Sequence, residues 1–315
     1  MSEPTISIVT PTLSRPDEIK GMVKNLCKQQ YLPAEVIYVD GAKNNDNRTQ
    51  KIINEIDYNL PFKIIYIRKG GGTAVQRNIG IDSAIGDLIC FLDDDIRLED
   101  NFLYVMVDHF QNPTYFDVGG IVGYRTNENI SPKNHKRWVW YKRLGIYSTF
   151  EPGKYDYKTG YPINANLQPP FEGTREVDFM TTACATWRRE VMDNGLRFDE
   201  FFTDYGVLED AHFALRAGEK WKLIQAGDAH CIHLRSKNAR ENPYLVASKT
   251  AINYRYVFID IVSKRTLIQE IKFWRVQIFD LCHFIIYALR HRDKENWLKV
   301  FGKVNGIIKA ITMKK

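Results

Sequence analysis

The chain has 315 residues, of which 44% are hydrophobic and 26% charged, with 20 Gly and 12 Pro. These are ordinary globular proportions and exclude fibrous, disordered and disulfide-stapled classes. The net charge of +6 is unevenly placed: residues 264–315 hold twelve Lys/Arg against four Asp/Glu, which leaves 32 basic against 34 acidic residues elsewhere, so the body is not a nucleic-acid binder by charge.

Five cysteines lie far apart without a CxxC pair, which fits a reduced, cytoplasmic compartment. The N-terminal MSEPTISIVT lacks the basic flank and apolar core of a signal peptide. The longest apolar candidate, Ile278 to Leu289, is interrupted by Asp280 and His283, so no simple membrane span is expected.

Ile6 to Val9 reads as a buried strand ending at Thr10-Pro11-Thr12. Ile19, Met22, Val23 and Leu26 then recur at helical spacing, and Glu35 to Val39 is again a strand, ending at Asp40-Gly41. The alternation continues with helices near Thr49 to Ile56 and Ala74 to Ala84, and strands at Phe62 to Ile67 and Leu88 to Leu92. It predicts an α/β fold, a mainly parallel sheet covered by helices. Polar residues at the ends of such strands gather on one edge, where open sheets bind ligands. Gly70-Gly71-Gly72 lacks the GK[ST] ending of a phosphate loop and is expected to be a connector.

Asp93-Asp94-Asp95 follows the strand at Leu88 to Leu92 directly. Three adjacent carboxylates repel one another unless a cation or hydrogen-bond donors compensate. Alternation places Asp93 and Asp95 on one side. Oxygen ligands suit Mg²⁺ or Mn²⁺ held jointly with phosphates, and an acidic surface loop or helix cap is the plainer alternative. Glu209-Asp210 opens a helix that ends near Gly218, where acids also serve as caps. Trp221 to Ile224 and Ala229 to His233 read as two strands, and His230 and His233 face opposite ways in the second. Arg235, Ser236 and Lys237 form a polar, cationic end that suits phosphate oxygens or solvent.

Taken together, Ile8-Val9-Thr10-Pro11-Thr12, Val39-Asp40, Arg77-Asn78-Ile79-Gly80, Gly86 to Asp95, Phe198-Asp199-Glu200 and Glu209-Asp210 occur in an order that resembles family 2 glycosyltransferases, inverting enzymes of the GT-A fold. The resemblance covers about residues 5 to 240. It implies donor contacts from Thr10, Asp40, Arg77, Asp93 and Asp94, metal ligation by Asp95 and His233, and a catalytic base at Asp210 supported by Glu209; Arg235, from the cationic cluster after His233, is expected to add a donor contact. It also implies a nucleoside diphosphate sugar as donor, a saccharide or lipid-linked glycan as acceptor, and surface polysaccharide assembly as setting. Two departures are His212, where a second acid often follows, and Leu13-Ser14 in place of the usual aromatic or Asn. The competing readings are a sugar nucleotidyltransferase, for which Thr10 to Arg15 makes a poor phosphate loop, and a non-catalytic sugar-nucleotide or membrane-binding module.

The expected organisation is a nucleotide-sugar-binding half (1–120), an acceptor-binding and catalytic half (121–240) and a helical tail (241–315). Lys133 to Tyr161 is rich in aromatics, suited to an acceptor lid or to core packing. In the tail, stripes from Leu267 to Leu289 and from Trp297 to Ile311 predict two basic amphipathic helices. They either lie on an anionic membrane surface, making the enzyme peripheral, or pack on the catalytic domain or a second copy.

Overall fold

The computed structural model describes residues 3–56, 59–128, 132–164, 170–203, 206–236 and 242–313. Its first third alternates strand and helix: β1 (Ile6–Thr12), α1 (Pro16–Leu26), β2 (Glu35–Asp40), α2 (Arg48–Ile56), β3 (Lys63–Arg68), α3 (Thr73–Ser83) and β4 (Leu88–Leu92). The strands lie parallel in the order β3-β2-β1-β4. All residues of β1, β2 and β4 are buried, as expected for a sheet covered on both faces. Gly71 and Gly72, at φ of 120° and 93°, turn the chain into α3 through a region open mainly to glycine.

The second half adds β5 (Ile96–Leu98), α4 (Phe102–Gln111), β6 (Val118–Arg125), α5 (Pro132–Arg143), the hairpin β7 (Tyr155–Asp156) and β8 (Tyr161–Pro162), and β9 (Thr174–Val177). It continues through β10 (Cys184–Arg188), α6 (Arg189–Asp193), α7 (Glu209–Ala217) and β11 (Lys222–His233). β10 enters antiparallel between β4 and β6, and β11 then runs parallel to β6. Residues 222–233 form one strand and not two; a register shift between Gln225 and His230 accounts for the polar interruption at Gly227-Asp228.

Register aligns the site. Thr12 stands level with Asp40, and Ile8 with Cys90, so the ends of β1, β2 and β4 meet at one edge. Pairing of His233 with Ile96 brings the end of β11 beside Asp95.

Three helices close the chain: α8 (Pro243–Ile261), α9 (Leu267–His291) and α10 (Lys294–Ile311). α8 is set by an Asn242 cap and Pro243 in the first turn and buries Ala247, Ala251, Val257 and Phe258. The sequence reading missed this helix, although Asn-Pro is a start signal. Aromatics of the 133–161 segment serve packing: Trp138 stacks on Phe150 at 5.3 Å and lies 5.2 Å from Tyr147, and Tyr141 meets Phe279 of α9 at 4.8 Å.

Candidate active site

The acidic triplet is shared among three sets of partners. Asp94 is buried; Thr12 Oγ1 donates to it at 2.6 Å and Arg15 pairs with it at 2.5 Å. Burial outweighs these contacts and raises its carboxyl to about 7. Asp95 accepts from the Ser236 amide at 3.0 Å, lies 3.4 Å from Arg15, and faces His233 Nε2 at 3.2 Å. Burial pushes the Asp95 pKa up, but His233 and Arg15 outweigh burial and hold it below the usual carboxylate range.

His233 bridges two carboxylates, with Nδ1 lying 2.8 Å from Glu128. Asp95 first and Glu128 second raise its imidazole to about 9, while Glu128, despite burial, is drawn down to about 2. This order of carboxylate, imidazole and second carboxylate is the outer and inner arrangement that orients a metal-binding histidine. A divalent ion would take Nε2 once the ring gives up one proton, with Glu128 retaining Nδ1–H. Among the described residues no cluster of three or more His, Cys, Asp and Glu side chains suits a metal. Two protein ligands fit Mg²⁺ or Mn²⁺ if phosphates and waters complete the shell. Arg235, mostly exposed, pairs with Glu128 at 3.1 Å at the rim; Lys237 lies outside the described residues.

Arg77 joins the two acidic motifs. From α3 its Nη1 reaches Glu209 at 2.7 Å and its Nη2 reaches Asp93 at 3.2 Å, with 4% of the side chain exposed. Burial alone would lower the guanidinium's pKa, but Glu209 and Asp93 outweigh it and raise it. Glu209 is buried, and the same carboxylate oxygen also accepts from Thr73 at 3.1 Å. Its neighbour Asp210 is half-buried and, among the described residues, receives its own helix's Ala211 amide at 2.7 Å. Burial chiefly, and nearby Asp93, raise the Asp210 pKa, with Arg77 opposing. Arg77 thus ties Glu209, expected from the sequence to support Asp210, to Asp93 of the triplet.

The loop before α7 is held from behind by α8. Asn253 Nδ2 donates to the Val207 carbonyl at 2.8 Å, and Tyr256 donates to Asp199 at 2.5 Å. The next residue, Leu208, adopts φ of 72°, a left-handed conformation that bulky residues rarely take. His212 is buried and directed to Asp260 of α8 at 2.9 Å, between Phe202 and Tyr256. Its place in the motif therefore serves the α7–α8 contact. Asn253→Ala removes the bond to the part-buried Val207 carbonyl and is expected to cost about 1 kcal/mol in urea unfolding, and to lower kcat more than donor affinity because it loosens Leu208.

The end of β1 lies further along the chain than the sequence suggests. β1 continues to Thr12, so Thr10 lies one pleat repeat inside the edge, fully buried, with its hydroxyl 3.7 Å from Met22 Sδ. The strand-end hydroxyl is Thr12. Asp40 is at the edge but is also fully buried; it accepts from the Ser14 and Ala42 amides at 3.0 and 2.9 Å and from Tyr66 at 3.0 Å. Sequence reasoning also missed Arg15, Glu128 and Ser236, which act across 79 to 141 residues of separation.

A mixed sheet with carboxylates converging at its strand ends places the chain among GT-A folds. A mannosyltransferase from Pyrobaculum calidifontis, solved with GDP-Man and Mn²⁺, superposes at a TM-score of 0.60 with 14% identity, covering 100% of this chain and 89% of that one. S. aureus TarS 1-349 in complex with UDP gives 0.55 with 16% identity over 98% and 81%. The chain belongs to glycosyl transferase family 2, whose family model matches residues 7–195. The Bacillus subtilis protein described as putative teichuronic acid biosynthesis glycosyltransferase TuaG is 29% identical over 94 residues, 30% of this chain and 36% of that protein. The matched stretch stays below two thirds of the length of each such relative.

Proposed function

We propose that the protein transfers a sugar from a nucleoside diphosphate sugar to an acceptor hydroxyl, with inversion at the anomeric carbon. The observation that carries this reading is the Arg77 bridge, which sets Asp210 beside the acidic triplet. The base of the nucleotide would meet the edge formed by Thr12, Ser14 and Ala42, whose backbone Asp40 fixes. Asp93 and Asp94 lie on the ribose side, and Asp95 and His233 would hold Mn²⁺ or Mg²⁺. The metal would supply positive charge for the diphosphate as it leaves. Asp210 takes the proton of the acceptor hydroxyl as the new C–O bond forms on the face opposite the breaking one.

The nucleotides named for the structural neighbours, GDP-Man and UDP, support a nucleoside diphosphate sugar as donor. The likeness to TuaG, a putative teichuronic acid biosynthesis glycosyltransferase, supports a part in bacterial-type surface polysaccharide assembly, and the acceptor assigned here is a saccharide or lipid-linked glycan. A sugar nucleotidyltransferase is less well supported, because β1 is followed by Arg15 pairing with the acids and not by a glycine-rich phosphate cradle.

Calorimetric titration of UDP and of GDP tests the donor half of the site. One of the two is expected to bind with Mn²⁺ and to lose at least tenfold in affinity after chelation or in His233→Ala. Equal binding with and without metal would contradict the Asp95 and His233 assignment. Nucleoside diphosphate release that requires an acceptor would separate transfer from a non-catalytic binding module.

A further inference from the structure

Outside the cleft, the closing helices bury polar residues and expose apolar ones. On α9, Leu267, Ile271, Ile278, Ile286 and Leu289 recur on one side and are 57–77% exposed, while Phe273, Val276 and Gln277 face inward. On α10, Phe301, Ile308 and Ile311 are 59–61% exposed, while Gly302, Lys303 and Gly306 are buried. This orientation is fixed by packing. A side chain at Gly302 or Gly306 would collide with the Tyr244 or Ser248 carbonyl of α8. Lys303 is locked to Gln277 at 2.8 Å and lies 3.6 Å from Asp280 of α9. Rotating either helix to hide its apolar stripe would break these contacts.

The apolar surface continues onto α5. Tyr141 pairs with His283 of α9 at 2.9 Å, and Arg275 of α9 reaches the Gly145 carbonyl just beyond α5. Beside these contacts Trp140 and Leu144 are exposed. Exposed Lys142, Arg143, Arg290, Lys294 and Lys309 lie on the same three helices. Among the described residues no helix is long and apolar enough to cross a membrane. Apolar stripes with an aromatic residue and accompanying cations are the composition of a helix that lies in the membrane interface. A second copy of the chain is a poor occupant, because it would bring another segment of twelve Lys/Arg and four Asp/Glu against the first.

We propose that α9, α10 and the end of α5 form a docking surface for an anionic lipid bilayer. The proposal does not depend on the transfer reaction, and its test needs no turnover. Full-length protein is floated with vesicles of phosphatidylcholine alone or mixed with phosphatidylglycerol. It should float with the mixed vesicles, little with phosphatidylcholine, and less as salt rises. Ile271→Asp/Ile286→Asp should abolish flotation while leaving the circular dichroism spectrum and nucleotide binding unchanged. Lys142→Gln and Arg143→Gln should each weaken vesicle binding about fivefold. A fluorophore on exposed Cys282 of α9, in a Cys27→Ser background, should shift to the blue on anionic vesicles. Failure to float with anionic vesicles, or equal flotation of the double Asp variant, would overturn the proposal. So would a dimer seen by light scattering that the Asp pair dissolves in protein that binds no vesicles, which would assign the surface to self-association.

Discussion

Asp210→Asn is expected to lower kcat by about 10²- to 10⁴-fold, the usual contribution of a positioned general base, while donor affinity stays within about twofold. The separation follows from where the residue sits. On the proposed reading Asp93, Asp94 and Asp95 face the donor, whereas Asp210 opens α7 with its carboxylate bonded, among the described residues, to the adjacent amide. The pH dependence carries the same signature. Burial raises the Asp210 pKa above its ordinary value, so the base is active only once deprotonated, and the rate falls as pH drops through the raised pKa. This acid limb should sit above the usual aspartate range in the wild type and vanish in Asp210→Asn. A variant with near-normal turnover and an unchanged acid limb would show that another group takes the proton.

Arg77→Met should have the largest effect on stability. The substitution removes the cation from a site with 4% side-chain exposure and leaves Glu209 without its 2.7 Å partner and Asp93 without its 3.2 Å one. Breaking a buried pair by deleting one member costs about 3–5 kcal/mol, because the remaining charge stays desolvated. Urea unfolding measures the loss. Adding Glu209→Gln should recover part of it, since the orphaned charge is then gone; a strictly additive double mutant would contradict direct coupling. Turnover in Arg77→Met should fall as well, because the side chain fixes the start of α7 against the acidic triplet.

These contacts explain what could be read from the chain and what could not. The alternation up to Leu92 is carried by local periodicity and by buried β-branched runs, so the parallel strands and the acidic edge were legible. Asp93 to Asp95 stood out because adjacent carboxylates after a buried strand demand compensation. Most of the contacts that compensate them were not legible: Arg15 reaches Asp94 and the Ser236 amide reaches Asp95 across 79 and 141 residues, and Arg77, singled out only as a donor contact, reaches Glu209 across 132. The antiparallel entry of β10 was hidden for a different reason: a strand buried on both faces has the same composition in either direction. The expected end of β1 at Val9 was too early because Thr10-Pro11-Thr12 was read as the loop after it, whereas the strand runs to Thr12. In the tail, the stripes gave the helices but not which side faces outward; Gly302, Gly306 and Lys303 decide that through contacts with α8 and α9.

Diffraction at the manganese edge, from crystals grown with Mn²⁺ and the nucleoside diphosphate that binds, tests the central claim most directly. One anomalous peak is expected, ligated by Asp95 and His233 and touching the diphosphate, with the Asp210 carboxylate opening onto the same cleft across Arg77. A metal bound elsewhere, or a nucleotide seated out of reach of Asp210, would contradict it.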